Sequence, residues 1–347
     1  MGSHLIKELL EMDDHLTLHC LVRQGREEYL EHVLCNYFGE AWYEQVKERI
    51  ITVSGDIRKR NLGMKKTDHD SLTDKIDRVY HAAADVRHYT DAKASMDTNL
   101  HGTENIISFA KSAGAALHHI STTSVAAQYI KSNPQLKTLY FEMDFDIGQN
   151  REQNIYVNSK FLAEAAIYQA VEEGLDARVY RIGRLVGRGS DGVFQTNSES
   201  NAFFAFLQAI RLAGSIPESM ASAKLELTPV DECAKAIIKL QNSTFTTLHL
   251  ASPHLTPVKD IVALDPRIKV VPDDEYAAVL KHLARSNGGP MATPLLDYYN
   301  GNQAVNQKID ISVMITQNEL AARNAIWGNP PVERLLSAFF SEMNERN

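Results

Sequence analysis

Short apolar runs alternate with longer stretches of helical periodicity through the first half of the chain. The runs predict strands at 15–23, 50–53, 77–84, 116–122 and 177–183, and the stretches predict helices at 3–12, 25–47, around 106–109 and at 154–173. Strands that alternate with helices are typical of a parallel sheet covered by helices on both faces. We therefore predict an α/β fold that binds ligands at the carboxyl ends of its strands.

The regularity weakens after Gly187. The pattern there predicts a turn-rich segment at 188–192, a helix near 202–213, a strand at 246–250, a loop at 286–290 and an amphipathic helix at 332–343. We expect two domains: residues 1–188, with residues 225–245 packing back on them, and a smaller, mixed substrate or lid domain at 189–347.

Composition and charge narrow the function classes. The 347 residues are 44% hydrophobic and 23% charged, with a net charge of −8. These proportions are those of a globular protein, and no run approaches the ~18 apolar residues of a membrane span. Nucleic-acid binding usually requires a basic surface, so the acidic balance argues against that class.

Cysteine and histidine spacing argues against disulfides and metal sites. Cys20, Cys35 and Cys233 are too few and too widely spaced for a disulfide framework or a metal knuckle. With no signal-peptide pattern at the start, they predict reduced thiols in a cytoplasmic protein. His118 and His119 are adjacent on a predicted strand, so their side chains face opposite ways and cannot chelate one ion.

A tyrosine and a lysine stand four residues apart on the predicted helix at 154–173. At this spacing Tyr156 and Lys160 share one helix face. A nearby ammonium favours the phenolate, so Lys160 is expected to lower the pKa of Tyr156. The phenol could then give a proton to an oxygen that is becoming negative. The spacing alone is weak evidence, because it is common by chance on surface helices.

Hydroxyl groups follow the strand at 116–122. Thr122 lies at the expected carboxyl edge of the sheet, where it could bond the same substrate oxygen as Tyr156. For Ser124, a polar turn that caps the strand is an equally reasonable interpretation. Together these hydroxyls strengthen the hypothesis of an active site around Thr122, Tyr156 and Lys160.

The order of these motifs resembles the extended short-chain dehydrogenases, and most of all the thioester reductase domains of nonribosomal peptide synthetases and carboxylic acid reductases. The resemblance runs from about residue 2 to 250. It is carried by CLVR at 20–23, GDI at 55–57, YHAAA at 80–84, NLHGT at 99–103, HIST at 119–122, Tyr156 with Lys160, YRIGRLVG at 180–187 and LTPVD at 227–231.

The resemblance implies a Rossmann-like, doubly wound parallel sheet that binds NADPH. An arginine after the second strand of the family fold suits a 2′-phosphate, so Arg23 favours NADPH over NADH. Thr122, Tyr156 and Lys160 are the implied catalytic residues; many relatives carry proline where this chain has Ile182. The implied cofactor-binding residues are Gly2, Arg23, Asp56, Ile57, Ala83, Ala84, Asn99, Lys160, Ile182 and Gly183.

One departure from the family concerns the pyrophosphate. The family opens with a strand and a Gly-x-x-Gly-x-x-Gly turn, whereas this sequence begins where that turn should end, with Gly2 at its last glycine. The glycines at 183–189 lie too far downstream to replace it. We therefore expect an N-terminally truncated sheet and weak or absent cofactor binding by this polypeptide.

The implied activity is NADPH-dependent reduction of an acyl or peptidyl thioester, delivered by a phosphopantetheinylated carrier protein, to an aldehyde or on to an alcohol. Basic residues at 58–60 and 65–66 are candidate carrier contacts or simply solvated loops. One alternative is another extended short-chain dehydrogenase, such as a fatty acyl reductase or a sugar-nucleotide epimerase or dehydratase. Another is a degenerate, non-catalytic module that docks a carrier protein.

Overall fold

The fold was analysed in a computed structural model. The structure describes residues 1–86, 91–127, 139–152, 154–196, 201–285, 295 and 309–345. The predicted loop at 286–290 lies outside these residues.

Parallel strands form the centre of the molecule. Four of them pair in the order β11–β6–β4–β3, and β1 pairs separately with β2, also in parallel. Among the described residues these six strands therefore form two separate sheets, one of four strands and one of two. The strands are Leu18–Val22 (β1), Ile50–Ser54 (β2), Arg78–His81 (β3), Ala116–Thr122 (β4), Leu139–Tyr140 (β5), Ala177–Ile182 (β6), Leu185–Val186 (β7), Ser215–Pro217 (β8), Lys224–Glu226 (β9), Thr228–Pro229 (β10), Thr247–Leu250 (β11), Leu255–Pro257 (β12), Lys269–Val271 (β13) and Asp310–Ile311 (β14).

Helices connect most of these strands. They are Gly2–Met12 (α1), Glu27–Phe38 (α2), Glu40–Val46 (α3), Lys66–Thr73 (α4), Ala92–Met96 (α5), Gly102–Ala113 (α6), Ile155–Glu172 (α7), Ala202–Ala213 (α8), Glu218–Ala221 (α9), Val230–Leu240 (α10), Val258–Val262 (α11), Asp273–Arg285 (α12), Met314–Ala321 (α13) and Val332–Glu345 (α14). Alternating strands and helices confirm the predicted α/β class.

Alternate residues of the sheet enter two apolar clusters. Leu117 and Val179 pack with residues of α6 and α7, whereas Tyr180 and Leu248 pack with residues of α1 and α10. Successive side chains of a strand point to opposite faces, so helices cover both faces of the sheet. This is the doubly wound arrangement that the sequence predicts.

A separate apolar cluster forms within the second half of the chain. Its buried residues come mainly from α8, α11, α12 and α14. Parts of the second half of the chain nevertheless pack with the first half. Strand β11 pairs with β6 in the four-stranded sheet, and α10 packs against α1. The division at residue 188 stays a prediction.

The predicted helix at 25–47 is interrupted. Gly39 has a φ of +87° and separates α2 from α3. Few residues other than glycine adopt this backbone conformation, so the chain changes direction there. The single helix predicted over residues 25–47 is therefore wrong, because the spacing of apolar residues gave no sign of the break at Gly39.

Candidate active site

The two predicted catalytic hydroxyls meet at the carboxyl end of β4. Thr122 is the last residue of that strand and is 6% exposed, and its side chain forms a hydrogen bond with Tyr156 in the first turn of α7. Asn154 caps this helix, since its side-chain oxygen accepts from the backbone N–H of Val157 at 3.1 Å. The cap fixes where α7 begins and so where Tyr156 lies.

Burial dominates the acidity of Tyr156. It raises the pKa of the phenol to about 12, although the hydrogen bond with Thr122 acts in the opposite direction. The expectation of a lowered pKa is therefore wrong for this structure, because the cost of desolvating a phenolate prevails. The Tyr156 hydroxyl is protonated at neutral pH.

Lys160 lies on α7 with its ammonium buried under the helix. Its Nζ donates to the backbone oxygen of Ile120 at 2.8 Å and lies 3.0 Å from Nε2 of His119. Burial lowers the pKa of Lys160 to about 8, while Glu164 acts to raise it. Lys160 is therefore oriented by two groups of β4.

A buried ion pair that the sequence analysis missed anchors α7 to the sheet. Arg181 on β6 donates to Glu164 through Nη2 at 2.7 Å and Nε at 3.0 Å, and both side chains are fully buried. Ser121 Oγ also donates to Glu164, one residue before Thr122 on β4. The signal in the sequence was an arginine within an apolar strand and a glutamate four residues after Lys160.

Asn99 connects α7 to the loop after β3. Its Nδ2 donates to Ser159 Oγ at 2.9 Å and to the backbone oxygen of Asp85 at 2.9 Å, while its Oδ1 accepts from the backbone N–H of Asp85 at 2.8 Å. The side chain is 1% exposed. Asn99 thus fixes the loop that carries Ala83 and Ala84, two predicted cofactor contacts.

The predicted adenosine-end residues follow β1 and β2 in neighbouring loops. Arg23 is exposed directly after β1, and Asp56 comes shortly after β2. Asp56 does not stand free, because Arg58 donates to its carboxylate through Nη2 at 2.7 Å and Nε at 3.0 Å. These hydrogen bonds from Arg58 lower the pKa of Asp56.

Ile57 packs against the start of α6. A Cβ on Gly102 would lie 2.8 Å from Cδ1 of Ile57, and Asn105 Nδ2 donates to the Ile57 backbone oxygen at 2.7 Å. The glycine is therefore required for this close contact. The structure leaves the side chain of Ile57 directed at α6.

A carboxylate lies against the predicted nicotinamide end. Ile182 ends β6, and a Cβ on the following Gly183 would lie 2.5 Å from a carboxylate oxygen of Glu226. Glu226 also accepts from the backbone N–H of Arg184 at 2.7 Å. Burial raises the pKa of Glu226, a residue that the sequence analysis missed.

The remaining predicted residues occupy more open positions. Gly2 is the exposed first residue of α1, where a Cβ would meet no atom within 4 Å. Ala83 is exposed and Ala84 is half-buried after β3. The contact of these residues with a cofactor stays a prediction.

Neighbouring carboxylates partly neutralise the candidate basic segments at 58–60 and 65–66. Arg58 pairs with Asp56, and Lys66 pairs with Asp70 at 2.6 Å. Both pairs are at the surface, where such contacts contribute little stability. The carrier contact stays a prediction.

The described residues contain neither a metal site nor a membrane-spanning helix. In them, no cluster of three or more histidine, cysteine, aspartate or glutamate side chains could hold a metal ion. Within the same part of the chain, no helix has the length and apolar character needed to cross a bilayer.

The inner residues suit a nicotinamide cofactor. The Lys160 ammonium has three N–H donors and two acceptors among the described residues, so one donor can serve a ribose hydroxyl. Gly183 presents bare backbone next to Ile182, with Glu226 filling the space a side chain would need. The free donor on Lys160 suits a hydroxyl-bearing ligand, whereas the bare backbone of Gly183 makes room for the Glu226 carboxylate.

The sequence profile of the NAD-binding family described as "Male sterility protein" matches residues 1–237. The chain belongs to this family. It is 29% identical over 271 residues to a linear gramicidin synthase of Brevibacillus parabrevis and 27% identical over 263 residues to glycine betaine reductase ATRR of Emericella nidulans. These matches cover 76% and 73% of this chain, but the chain spans only 5% and 20% of those relatives.

Solved reductase domains share the fold. A thiolation-reductase di-domain of an archaeal nonribosomal peptide synthetase superposes with a TM-score of 0.85 at 28% identity, covering 100% of this chain and 74% of that one. The terminal R domain of the myxalamid pathway gives 0.83 at 24% identity, covering 99% and 88%. The resemblance to synthetase reductase domains, drawn from the sequence motifs, is confirmed, and the family binds a nicotinamide cofactor.

Proposed function

We propose that this chain reduces a thioester, carried on the phosphopantetheine arm of a carrier protein, to an aldehyde. The observation that supports this most is the pair of hydrogen-bonded hydroxyls, Thr122 and Tyr156, at the carboxyl end of β4, with Lys160 one helical turn further along α7. Two adjacent hydroxyls at a strand end can both donate to one carbonyl oxygen when it replaces the hydrogen bond between them.

The residues divide the work around that oxygen. NADPH, when bound, supplies the hydride that reaches the thioester carbonyl carbon. Tyr156 donates its proton to the oxygen as negative charge develops, and Thr122 gives a second hydrogen bond. The phenol suits this part because its pKa of about 12 keeps it protonated at neutral pH. The thiohemiacetal then loses the carrier thiol, which takes the hydroxyl proton, and leaves the aldehyde.

Lys160 serves the cofactor rather than the substrate in this proposal. Its free N–H would hold a ribose hydroxyl, and its charge would offset the phenolate that forms when Tyr156 has lost its proton. Arg23, exposed after β1, would hold a 2′-phosphate and select NADPH over NADH. The free thiols of Cys20, Cys35 and Cys233 accord with a cytoplasmic site of action.

The test compares neighbouring threonines. The chain, an acyl-pantetheine thioester and NADPH are mixed, and NADPH absorbance and aldehyde are followed together. We expect Thr122→Val to lower kcat by about 10-fold or more, because one donor to the developing oxyanion is lost. Thr123→Val, which removes the adjacent hydroxyl, should retain the rate. NADPH is supplied at a concentration that a fluorescence titration shows to be saturating, since weak cofactor binding is expected. No aldehyde from the NADPH-bound parent chain would overturn the proposal and favour a docking module.

A further inference from the structure

The imidazole of His119 contacts the lysine of the active site. Lys160 Nζ lies 3.0 Å from His119 Nε2, with the histidine fully buried and the lysine 2% exposed. An ammonium only donates hydrogen bonds, so Nε2 is the acceptor and the ring proton is on Nδ1. Building on the function proposed above, we propose that His119 is a positioning residue, a neutral acceptor that holds Lys160 in place.

The surroundings keep His119 neutral. Burial, with contributions from Lys160 and His81, lowers the pKa of His119 well below its usual range. The ring of His81, at the end of β3, lies 5.1 Å from that of His119, and its Nε2 lies 3.1 Å from Thr103 Oγ1. Since Thr103 Oγ1 donates to the backbone oxygen of Asn99, it accepts from His81. Among the described residues the hydrogen-bond acceptors of Lys160 are His119 and Ile120, so His81 does not share this contact.

A carboxylate beside Lys160 would neutralise the ammonium charge, whereas a neutral imidazole accepts a hydrogen bond and leaves that charge in place. The titratable groups that interact with Lys160 are His119 and His81 from the neighbouring strands and Glu164 from its own helix. Glu164 is already bound by Arg181. His119 thus orients the ammonium without neutralising it, so the charge and the remaining N–H donor stay available to a cofactor ribose.

The first readout needs neither cofactor nor turnover. The chain is labelled at lysine Cε with carbon-13, the Lys160 signal is assigned with Lys160→Arg, and its pKa is titrated by NMR. His119→Phe keeps an aromatic ring at this position but removes Nε2, the nitrogen that accepts from Lys160. The charged form of the lysine is then less favoured, so the pKa of Lys160 should fall by about one. His119→Gln, whose side-chain oxygen can accept, should recover most of that change.

The matched control is the next histidine along the strand. His118 is equally buried but lies on the opposite face of β4, where its Nδ1 is 3.0 Å from the Tyr180 hydroxyl. His118→Phe therefore tests the general cost of removing a buried imidazole and should leave the Lys160 pKa unchanged. If His119→Phe does not fold, His119→Leu is titrated instead. An unchanged Lys160 pKa in the folded acceptor-deletion variant would overturn the proposal.

The second readout separates this inference from the proposed function. We expect His119→Phe to weaken NADPH binding about 10-fold in a fluorescence titration and to lower kcat, with KM for the thioester unchanged. A parent chain that reduces no thioester would contradict the proposed function, while the NMR result would still decide the lysine contact. A parent that reduces thioesters, beside a His119→Phe variant equal to it in both NADPH affinity and kcat, would contradict the role of His119 alone.

Discussion

The inner and outer parts of the site are built in opposite ways. The inner part, around Thr122, Tyr156 and Lys160, lies between β4 and α7 and is tied to the sheet by the buried pair of Glu164 and Arg181. The outer part consists of the loops after β1 and β2, where Arg23 is exposed and Arg58 pairs with Asp56 two residues away. Burial therefore fixes the side-chain positions of the inner part, whereas contacts between residues close in sequence fix those of the outer part.

This difference separates two kinds of substitution. A change in the inner part leaves a desolvated polar group without its partner, so stability and activity should fall together. A change in the outer part exposes a group that water can solvate, so affinity for a charged ligand should change while the fold stays intact.

The largest effect is expected from the buried ion pair. Arg181→Met leaves the Glu164 carboxylate buried without its main donor, which should cost about 3–5 kcal/mol in the free energy of unfolding. Urea denaturation measures it. The control is Asp176→Asn, which breaks the pair of Asp176 with Arg178, where the carboxylate is 65% exposed, and should cost far less. Equal costs for the two variants would refute the contrast between a buried ion pair and an exposed one.

Asn99 should show an intermediate effect. Asn99→Leu removes the hydrogen bonds to Ser159 and to both backbone groups of Asp85, at a cost of about 1–3 kcal/mol. The loop with Ala83 and Ala84 then loses its anchor, so NADPH affinity should also fall. Thermal denaturation and a fluorescence titration report the two quantities. A stable variant with parental affinity would show that the loop holds itself.

Arg23 tests the outer part alone. Arg23→Gln should weaken NADPH binding relative to NADH by about 10–100-fold, because one charged hydrogen bond to a phosphate is lost. The melting temperature should not change, because the side chain is exposed. Arg26→Gln, in the same loop region, is the matched control and should retain the preference. An unaltered ratio in Arg23→Gln would assign phosphate selection to another residue.

A smaller effect concerns acid stability. Burial lowers the pKa of His118 to about 3, with smaller contributions from the nearby Arg178 and Arg78. Burial also lowers the pKa of His81 to about 3. The unfolded chain binds these protons near pH 6.5 and the folded chain does not, so stability is lost as pH falls from 6.5 toward 3. At pH 5, His118→Phe should take up about one proton fewer on unfolding than the parent. Unfolding free energies measured from pH 4.5 to 6.5 give this slope, and identical slopes would contradict it.

Sequence patterns predicted the elements whose apolar period matches their burial. The strand ending at Thr122 and the helix holding Tyr156 lie where the pattern put them, because both are packed against the core. The break at Gly39 was missed, since a period of apolar residues says little about one backbone angle. The pairing of Arg181 with Glu164 was missed because it joins distant elements, and the pKa of Tyr156 because desolvation depends on the finished fold.

Thioester reduction by Tyr156→Phe decides whether this tyrosine is the proton donor. Aldehyde release from an acyl-loaded carrier protein is followed with NADPH, in the parent, in Tyr156→Phe and in Tyr180→Phe, whose lost hydroxyl contacts His118 instead. If Tyr156 protonates the carbonyl oxygen, its removal should lower kcat by about 100-fold or more, with Tyr180→Phe close to the parent. Equal rates for the parent and Tyr156→Phe would contradict the assignment of this site.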